Sequence, residues 1–423
     1  MNIVDIIIKK RNKNELSKEE IDYTIKNYVN GTIADYQMSS LLMAIFLNGM
    51  TDKETFYLTE SMLNSGDKID LSNIEGIKID KHSTGGIGDK TTIILGPLVA
   101  SCGVKVPKMS GRSLGFTGGT IDKLESIENF NTAISMDKFI NQVKNINIAI
   151  ASQTGNLVPA DKKIYALRDV TGTVDSIPLI ASSIMSKKLA SGADKIVIDL
   201  KLGNGALINN IDDAHKLANL MVNIGKYHNK ETICVITNMN QPLGNMIGNS
   251  LEIKESIDVL KGNGPKDLIE LVETLGSIMV SIGKNINIED AKREVTENLK
   301  NGKAYEKFLE LVALQGGNNQ LRISNKIIPV LSPKKGYIKD IDASNIGEIV
   351  RKIGGGRYQK ADIIDPSVGI VLNKKIGDYV DLNEKLLDIY IGEKNININE
   401  VINCFRIVSE PVNSEKLILE VIK

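Results

Sequence analysis

Hydrophobic residues recur at helical spacing through the first 65 residues of the chain. Within this stretch, Ser17 with Glu20 and Thr51 with Glu54 each fit a capping box, a hydroxyl and a carboxylate placed three residues apart at a helix start. Apolar residues follow each box with a period of three to four, which is typical of amphipathic helices. The pattern predicts a small helical domain over residues 1–65.

A second helical stretch covers residues 161–189. Ser176 is its candidate N-cap, and Pro178 stands early in the second helix, where a missing N–H costs little. We expect this stretch to pack back on the helices of residues 1–65.

The pattern changes after residue 65 to short β-branched runs that alternate with helical segments. Lys195–Asp199 and Thr232–Thr237 are continuous apolar runs of the kind found in buried parallel strands. The alternation predicts an α/β domain formed by residues 66–160 and 190–330.

Glycine-punctuated short strands dominate the last part of the chain. Val368–Leu372 and Lys385–Ile391 are two of them, and a compact β-rich domain is predicted over 331–423. The predicted fold class combines a small all-α domain, a larger α/β domain with a mainly parallel sheet, and a C-terminal α+β domain resembling a barrel-sandwich.

The composition limits the classes of partner. The chain has 423 residues, enough for several domains, and its 52 basic residues equal its 52 acidic ones. No overall field therefore favours nucleic acid or an anionic membrane surface, and no apolar run is long enough to span a bilayer. We expect neither a nucleic-acid partner nor a membrane partner.

The cysteines and the start of the chain bear on location. The three cysteines, Cys102, Cys234 and Cys404, are isolated and have no metal-like spacing. No basic start followed by an apolar middle and a cleavage site marks a signal peptide. We expect a cytoplasmic protein with buried, reduced thiols.

Two glycine-rich loops carry the candidate chemistry. The first glycine-rich loop, Lys81–Asp89, reads Lys-His-Ser-Thr-Gly-Gly-Ile-Gly-Asp; the second, Ser110–Glu125, reads Ser-Gly-Arg-Ser-Leu-Gly-Phe-Thr-Gly-Gly-Thr-Ile-Asp-Lys-Leu-Glu. Each follows a strand-like run and opens a helix-like one. Glycines allow close backbone approach to an oxyanion, and a helix N-terminus adds partial positive charge.

The two loops together favour one phosphate site over simple strand-to-helix turns. Cationic and hydroxyl side chains are interleaved with the glycines, and Arg112 adds a further charge. The candidate phosphate ligands are Lys81, Ser83, Thr92, Ser110 and Thr120.

The type of phosphate ligand is narrowed by spacing. Asp89 stands between Gly88 and Lys90 and breaks the Gly-Lys-Thr register that a nucleoside triphosphate requires. Neither loop has the Gly-x-Gly-x-x-Gly spacing of a dinucleotide fold. A free phosphate enclosed by both loops fits the spacing better.

Four segments resemble thymidine and pyrimidine-nucleoside phosphorylases. They are the first glycine-rich loop, the Ser-Gly-Arg that begins the second glycine-rich loop, Thr-Gly-Gly-Thr-Ile-Asp-Lys-Leu-Glu at Thr117–Glu125, and Ser-Gly-Ala-Asp-Lys at Ser191–Lys195. The similarity covers essentially the whole chain. It implies reversible phosphorolysis of pyrimidine nucleosides such as uridine, thymidine and deoxyuridine by inorganic phosphate, with no organic cofactor, in a homodimer joined through helices.

The resemblance also assigns roles to residues. It adds Lys108 and Met109 to the phosphate ligands, and it places the base against Arg168, Ser183 and Lys187. Ser183 and Lys187 are four residues apart and so share a helix face.

Catalysis is assigned to few residues. The expected catalytic residues are His82, Arg168 and Lys187. His82 would donate to the base or the sugar, but a purely structural role for this histidine fits the sequence equally.

A monovalent cation, potassium, is implied by the resemblance as well. The matching positions are the backbone carbonyls of Gly88, Lys90, Leu243 and Met246 and the carboxylate of Glu255. No spacing in the sequence reveals such a site by itself.

The chain departs from the family at a few positions. Ser113 replaces glycine or alanine, Phe116 replaces histidine, and Leu207 replaces the phenylalanine that lies against the pyrimidine ring. We hypothesise that Phe116 partly supplies the missing apolar contact.

Position 108 bears on the sugar. Relatives restricted to deoxynucleosides tend to have methionine there, and broader ones have lysine. The Lys108 ammonium is expected to reach a ribose 2′-hydroxyl, which favours a broad enzyme over a strict thymidine phosphorylase.

Three other interpretations stay open. A phosphoribosyltransferase would share the plan of helices and glycine-rich loops, but it needs a paired acidic magnesium motif that we do not find. A carrier domain would use Lys360 as a lipoyl-type attachment site. A non-catalytic binding protein would explain the departures at the second loop and Leu207.

Overall fold

The computed structural model describes residues 1–112, 118–153, 155–359 and 361–423. The interpretations that concern Ser113, Phe116 and Lys360 lie outside the described residues.

The helices are distributed along the whole chain. They are α1 (Ile3–Arg11), α2 (Lys18–Val29), α3 (Asp35–Asn48), α4 (Asp52–Leu63), α5 (Thr91–Ser101), α6 (Thr120–Leu124), α7 (Met136–Ile146), α8 (Pro159–Thr171), α9 (Ile177–Ala190), α10 (Ile211–Tyr227), α11 (Asn249–Leu260), α12 (Lys266–Lys284), α13 (Ile288–Lys300), α14 (Lys303–Leu314), α15 (Ala343–Val350), which a π-helical turn at Arg351–Gly355 extends, and α16 (Ile398–Ile402).

The strands begin after the first four helices. They are β1 (Ile79–Ser83), β2 (Val106–Ser110), β3 (Ile148–Ser152), β4 (Lys195–Leu202), β5 (Glu231–Asn238), β6 (Met246–Ile247), β7 (Ile327–Leu331), β8 (Gly336–Ile341), β9 (Gly369–Leu372), β10 (Tyr379–Val380), β11 (Lys385–Tyr390), β12 (Phe405–Val408) and β13 (Ile418–Ile422).

Both predicted capping boxes are present at the starts of α2 and α4. The Ser17 amide donates to Glu20 Oε2 at 2.7 Å and the Glu20 amide donates to Ser17 Oγ at 3.3 Å. At α4 the corresponding distances are 2.8 Å to Glu54 Oε2 and 3.2 Å to Thr51 Oγ1. These bonds satisfy N–H groups that a helix start leaves without partners.

Helices α8 and α9 pack against α2, α3 and α4 and share one hydrophobic core with them. Helix α9 follows Ser176, which occupies the N-cap position without a side-chain cap, and Pro178 stands in its first turn. Apolar and small residues are spread around the whole helix, and every residue from Leu179 to Ser186 is buried, so α9 lies between α4 and α10 rather than on the surface.

The central sheet is parallel where the sequence predicts it. Strands β1, β4 and β5 run parallel in that order, and β2 pairs in parallel with β3. A bridge between Lys78 and Lys105 joins β2 to β1. The predicted apolar strands at 195–199 and 232–237 are confirmed as β4 and β5, whose central residues are fully buried because helices cover both faces.

The C-terminal part holds two small antiparallel sheets, β6-β9-β11-β7 and β10-β8-β12, around an aliphatic core. The predicted strands at 368–372 and 385–391 are confirmed as β9 and β11. Three strands cross the division that we predict at residue 331. Strand β7 begins before this residue but pairs with β11 of the C-terminal part. Strand β6 leaves the α/β part to pair with β9, and β13 returns to cover the open edge of β5, which would otherwise present unpaired backbone groups.

Candidate active site at the carboxyl edge of the sheet

Both glycine-rich loops begin at the same edge of the sheet. Lys81 and Ser83 lie at the carboxyl end of β1, and Ser110 ends β2, the neighbouring strand. Thr92 stands in the first turn of α5 and Thr120 begins α6. The carboxyl ends of parallel strands and the following helix starts are where α/β proteins bind anions, and the structure brings all five residues to that edge.

The first glycine-rich loop is held by its own charged groups. The Asp89 carboxylate accepts the Thr91 amide at 3.2 Å and the Thr91 hydroxyl at 2.6 Å, and Lys81 Nζ donates to the same hydroxyl. Burial would raise the pKa of Asp89, but Lys81, Lys201 and Lys123 hold it well below its usual range. The residue that breaks the triphosphate register therefore fixes the start of α5 as a carboxylate.

A second cation lies beside Lys81 that sequence reasoning missed. Lys201, at the end of β4, is fully buried, and its Nζ lies 2.8 Å from Asp199 Oδ2. Lys81 Nζ lies 3.3 Å from the same oxygen. The available signal was the spacing of two between Asp199 and Lys201, which in a buried strand places both on one face.

Lys108 occupies a different position from the one that sugar contact would need. Its Nζ lies 3.1 Å from Asp80 Oδ1 and donates to the carbonyl of Lys81, while Lys188 Nζ lies 2.6 Å from Asp80 Oδ2. Burial and the neighbouring Lys188 lower the pKa of Lys108 to about 7, although Asp80 opposes the shift. Lys108 is therefore buried, and it holds the backbone of Lys81 in place through the Lys81 carbonyl.

Met109 contributes no side chain to this edge. The thioether packs into a hydrophobic cluster with Phe139 and Val143, so only its backbone can take part in anion binding.

His82 stands where the two halves of the predicted site meet. Burial lowers its pKa well below the ordinary histidine value, and four ammonium groups add to the effect: Lys188, Lys108, Lys187 and Lys81. Two of these belong to α9 and two to β1 and β2. The imidazole is neutral at neutral pH, so it can donate one N–H but cannot act as an imidazolium acid.

Helix α9 brings Ser183 and Lys187 together, as their spacing predicts. Lys187 Nζ donates to Ser183 Oγ at 3.3 Å and to Asp161 Oδ2 at 2.6 Å. Asp161, on α8, is a further residue that sequence reasoning missed. It neutralises and orients Lys187, and the ion pair leaves the lysine partly exposed.

Arg168 lies apart from an open binding surface. Its side chain is 1% exposed, and its guanidinium donates to the carbonyls of Thr173, Val174 and Leu179. These bonds hold the turn between α8 and α9. A guanidinium has five N–H donors, so two remain beyond these three bonds.

The predicted cation site needs a correction. The ammonium of Lys90 itself lies against two of the expected ligands, 2.9 Å from the Leu243 carbonyl and 2.7 Å from Glu255 Oε2. The expected contribution of Lys90 through its backbone carbonyl does not describe this arrangement, and the residues do not fit an added potassium ion.

Two further residues that the sequence singled out are placed as follows. Arg112, which we expected to add charge to the anion site, is engaged by Asp122 at 3.2 Å and Glu125 at 2.6 Å. Leu207 is 42% exposed and follows Ala206, which bridges to Gly86 of the first glycine-rich loop. The leucine is thus an exposed apolar side chain at the mouth of the site.

Within the described ranges, no group of three or more His, Cys, Asp or Glu side chains is arranged to hold a metal ion. Among the same residues, no helix combines the length and apolar character needed to cross a membrane. All three cysteines are buried and unpaired.

Family models match three segments of the chain. The model described as glycosyl transferase family, a/b domain, matches residues 75–305, the helical bundle domain of the same family matches 4–66, and the pyrimidine nucleoside phosphorylase C-terminal domain matches 337–408.

Several curated proteins are similar over nearly their whole length. The pyrimidine-nucleoside phosphorylase of Staphylococcus epidermidis is 53% identical over 405 residues, with 94% of each chain covered. Those of Bacillus subtilis and Geobacillus stearothermophilus are 51% and 50% identical, covering 97% and 99% of each chain.

A solved structure shares the fold. Anthranilate phosphoribosyltransferase from Thermus thermophilus superposes with a TM-score of 0.58 at 16% identity, covering 73% of this chain and 98% of that one. At this identity the likeness concerns the fold alone.

Proposed function

The chain belongs to the pyrimidine-nucleoside phosphorylase family of glycosyl transferases, and we propose that it catalyses the reversible phosphorolysis of pyrimidine nucleosides. Inorganic phosphate and a nucleoside give the free base and a ribose or deoxyribose 1-phosphate. The proposed reaction uses no organic cofactor.

One observation carries the proposal beyond family membership. Lys108 from β2 and Lys188 from α9 bind the two oxygens of Asp80, which joins the helix that carries Ser183 and Lys187 to the strand that carries Lys81 and His82. A phosphate held at the strand edge and a base held at α9 would therefore be presented to each other across one short gap. Proximity of this kind is the main contribution an enzyme can make to a reaction with a ready nucleophile.

The chemistry follows from these positions. A phosphate oxygen forms a bond to C1′ as the C1′–N1 bond breaks, and the electron pair of the broken bond goes to the base. The anionic base spreads this charge over its carbonyl oxygens and later takes up a proton from solvent. We propose that Lys187 stabilises the charge that develops on the base and that Lys81 orients the phosphate.

His82 has a limited role in this scheme. Because its imidazole is neutral, we propose that it donates a hydrogen bond to the base or sugar rather than transferring a proton. Ser183 is proposed to donate or accept at the base ring. Because Arg168 is buried, we propose that it positions the base site by holding the turn between α8 and α9 rather than by contacting the base.

The breadth of the nucleoside specificity is a finer proposal. We favour acceptance of uridine, thymidine and deoxyuridine over a strict thymidine enzyme. The expected direct contact of Lys108 with the 2′-hydroxyl does not support this breadth, because the ammonium of Lys108 binds Asp80 and the Lys81 carbonyl. Any effect of Lys108 on sugar choice would then act through the position of Lys81.

Phosphoribosyl transfer is the second candidate function. The fold shared with anthranilate phosphoribosyltransferase is the observation that favours it. The match of the C-terminal domain model and the near full-length relatives support phosphorolysis more strongly.

A homodimer is proposed from the surface of the helical domain. Helix α3 packs beside α1 and α8, and these three helices present large apolar side chains to solvent: Val4, Ile8, Tyr36, Phe46, Leu47 and Val170. We propose that these exposed apolar side chains form the contact with the second chain. A cytoplasmic location remains a proposal that rests on the unpaired cysteines.

The proposal is tested by incubating the protein with phosphate and uridine, thymidine or deoxyuridine in turn, and separating the products. We expect release of free base from all three, with the rate depending on phosphate concentration. Absence of turnover with every nucleoside, from protein whose folding is verified, would exclude the phosphorylase function. Turnover of the two deoxynucleosides alone would instead support the strict enzyme.

A further inference from the structure

Lys90 is a buried lysine whose ammonium reaches away from the anion site. It stands immediately before α5, and its side chain is fully enclosed. Nζ donates to the carbonyl of Leu243 at 2.9 Å and to Glu255 Oε2 at 2.7 Å. A lysine in this position has three donors and no acceptor, so it can serve only as a cation held by oxygen atoms.

The ammonium of Lys90 binds a short segment through its backbone. This segment, residues 242–246, is called the 242–246 loop. Its amides at Asn245 and Met246 donate to the Glu255 carboxylate at 2.9 Å and 3.2 Å, and the Leu243 amide donates to the Ile87 carbonyl of the first glycine-rich loop at 3.0 Å. The ammonium therefore joins this loop to the glycine-rich loop at the point where both approach α5.

The packing leaves little room for an additional ion. A Cβ placed on Gly244 would lie 3.0 Å from Lys90 Nζ and 2.3 Å from Glu255 Oε2, and one placed on Gly88 would lie 2.6 Å from the Leu243 carbonyl oxygen. Both glycines have positive φ angles, +66° and +76°, which a side chain would strain. The backbone is closed tightly around the ammonium.

The charges around Lys90 are already balanced. Three carboxylates of this region each face one ammonium: Glu255 faces Lys90, Glu252 faces Lys123 at 2.6 Å, and Asp267 faces Lys375 at 3.0 Å. A further monovalent cation would bring an unpaired charge into a buried site, which is strongly unfavourable.

Lys90 remains charged in this environment. Its Nζ lies 2.7 Å from the Glu255 carboxylate, and this buried contact stabilises the ammonium form. An ammonium and a potassium ion have the same charge and similar size, and both are held by carbonyl and carboxylate oxygens.

We propose that the Lys90 ammonium permanently occupies the position for which the family resemblance implies a dissociable potassium ion, so that the 242–246 loop is ordered without any bound metal. The chain carries its cation covalently. Its folding and its activity are then independent of potassium, whichever substrate the anion site accepts.

The unmodified protein gives the first test. Its melting temperature is measured in potassium chloride, sodium chloride and tetramethylammonium chloride at equal ionic strength, because the last cation is too large for the site. We expect the three values to agree within about 1 °C, since no ligand binds the folded state selectively. A saturable rise with potassium relative to tetramethylammonium would overturn the proposal.

A Lys90→Ala variant gives the second test, because it removes the ammonium and leaves its oxygen ligands. We expect its melting temperature in tetramethylammonium chloride to fall by about 5 °C or more. Potassium or ammonium ions should then restore about half of the loss in a saturable manner. Loss of stability with no rescue by either ion would contradict the equivalence of the ammonium and the ion. If this variant does not fold, the measurement on the unmodified chain decides alone.

The matched control is Lys10→Ala. Lys10 is another buried lysine, paired with both Glu54 oxygens at 2.8 and 2.9 Å, but the hydrogen bonds of its ammonium lead to this carboxylate and to no backbone carbonyl. We expect a similar loss of stability without rescue by potassium. Equal rescue of both variants would show a general salt effect and would also overturn the proposal.

Thallium(I), which resembles potassium and scatters X-rays anomalously, supplies a readout independent of stability. Crystals of the unmodified protein soaked in a thallium salt should show no peak beside Glu255, and crystals of Lys90→Ala should show one. A peak beside Glu255 in the unmodified protein would refute the proposal directly.

Discussion

Two buried lysine clusters lie next to the first glycine-rich loop, and their charge balance differs. The strand cluster consists of Lys81, Lys108, Lys188 and Lys201 with Asp80, Asp89 and Asp199. The loop cluster consists of Lys90, Lys123 and Lys375 with Glu252, Glu255 and Asp267.

Each lysine of the loop cluster has its own carboxylate, whereas the strand cluster, counted over the described residues, has four lysines and three carboxylates. The surplus is visible in Lys108, whose pKa falls to about 7 because burial and Lys188 outweigh Asp80. A cluster with balanced charges stabilises the fold, whereas a cluster with one excess positive charge favours the binding of an anion. Phosphate would supply the missing negative charge.

The largest effect should come from exchanging one lysine in each cluster for a neutral residue of similar length. We expect Lys81→Met to lower kcat/KM by about 10³-fold, because an orienting cation is lost from the anion site. Lys375→Met should lower the melting temperature but change kcat by less than about tenfold. Steady-state kinetics with uridine, together with thermal unfolding, measure both. Equal losses of activity in the two folded variants would abolish the distinction between the clusters.

Lys201 tests whether the strand cluster as a whole serves phosphate. Removing its ammonium in Lys201→Met should raise the KM for phosphate by about 10²-fold, because a buried charge close to Lys81 is lost. The KM for the nucleoside should stay within about threefold. A variant that changes only in stability would assign Lys201 to the fold instead.

Lys187 belongs to neither cluster, since its carboxylate partner is Asp161. In Lys187→Met we expect kcat/KM for the nucleoside to fall by about 10²-fold while the KM for phosphate changes little, because this ammonium faces the leaving base. A rise in the phosphate KM as large as that of Lys201→Met would place Lys187 on the phosphate side.

The surplus charge should also be visible as a pH dependence. An anion that binds the strand cluster favours protonated Lys108, so binding is strongest below its free pKa of about 7 and weakens as the pH rises through that value. Sulfate, which does not titrate in this range, is a suitable probe. Its inhibition constant should rise about tenfold from pH 6 to pH 8, and this slope should disappear in Lys108→Met. A sulfate affinity that is flat over this range in the unmodified enzyme would contradict the surplus.

The smallest effect concerns the exposed Leu207. Leu207→Phe restores an aromatic side chain beside the first glycine-rich loop, and we expect the nucleoside KM to fall about threefold through added apolar contact. The KM for phosphate serves as the internal control and should not change. An unchanged nucleoside KM would place Leu207 outside the base site.

Much of the fold could be read from local patterns. The capping boxes at Ser17 and Thr51 were predictable because their bonds form between residues three apart. The buried strands β4 and β5 were predictable because apolar runs of that length have few alternatives. Strand β13 was not, since its pairing with β5 depends on an edge formed almost 200 residues earlier.

The site was predictable only in part, for the same reason. The local sequence of the glycine-rich loops indicates an anion site, and the spacing of Ser183 and Lys187 indicates a shared helix face. Asp80 and Asp161 act through partners distant in sequence, and no local signal identifies them, whereas the spacing of Lys201 from Asp199 was a usable local signal. The side-chain direction of Lys90 is likewise set by Leu243 and Glu255, more than 150 residues away.

The most direct measurement of the central claim follows both products at once. Uridine and excess phosphate are incubated with the protein, and ³¹P NMR of the mixture is compared with the free uracil measured in the same sample. We expect a pentose 1-phosphate signal that grows in equal amount with uracil, and about 10³-fold slower formation of both products with Lys81→Met. Uracil released without a sugar phosphate would show hydrolysis, and it would contradict the assignment of the strand cluster to phosphate.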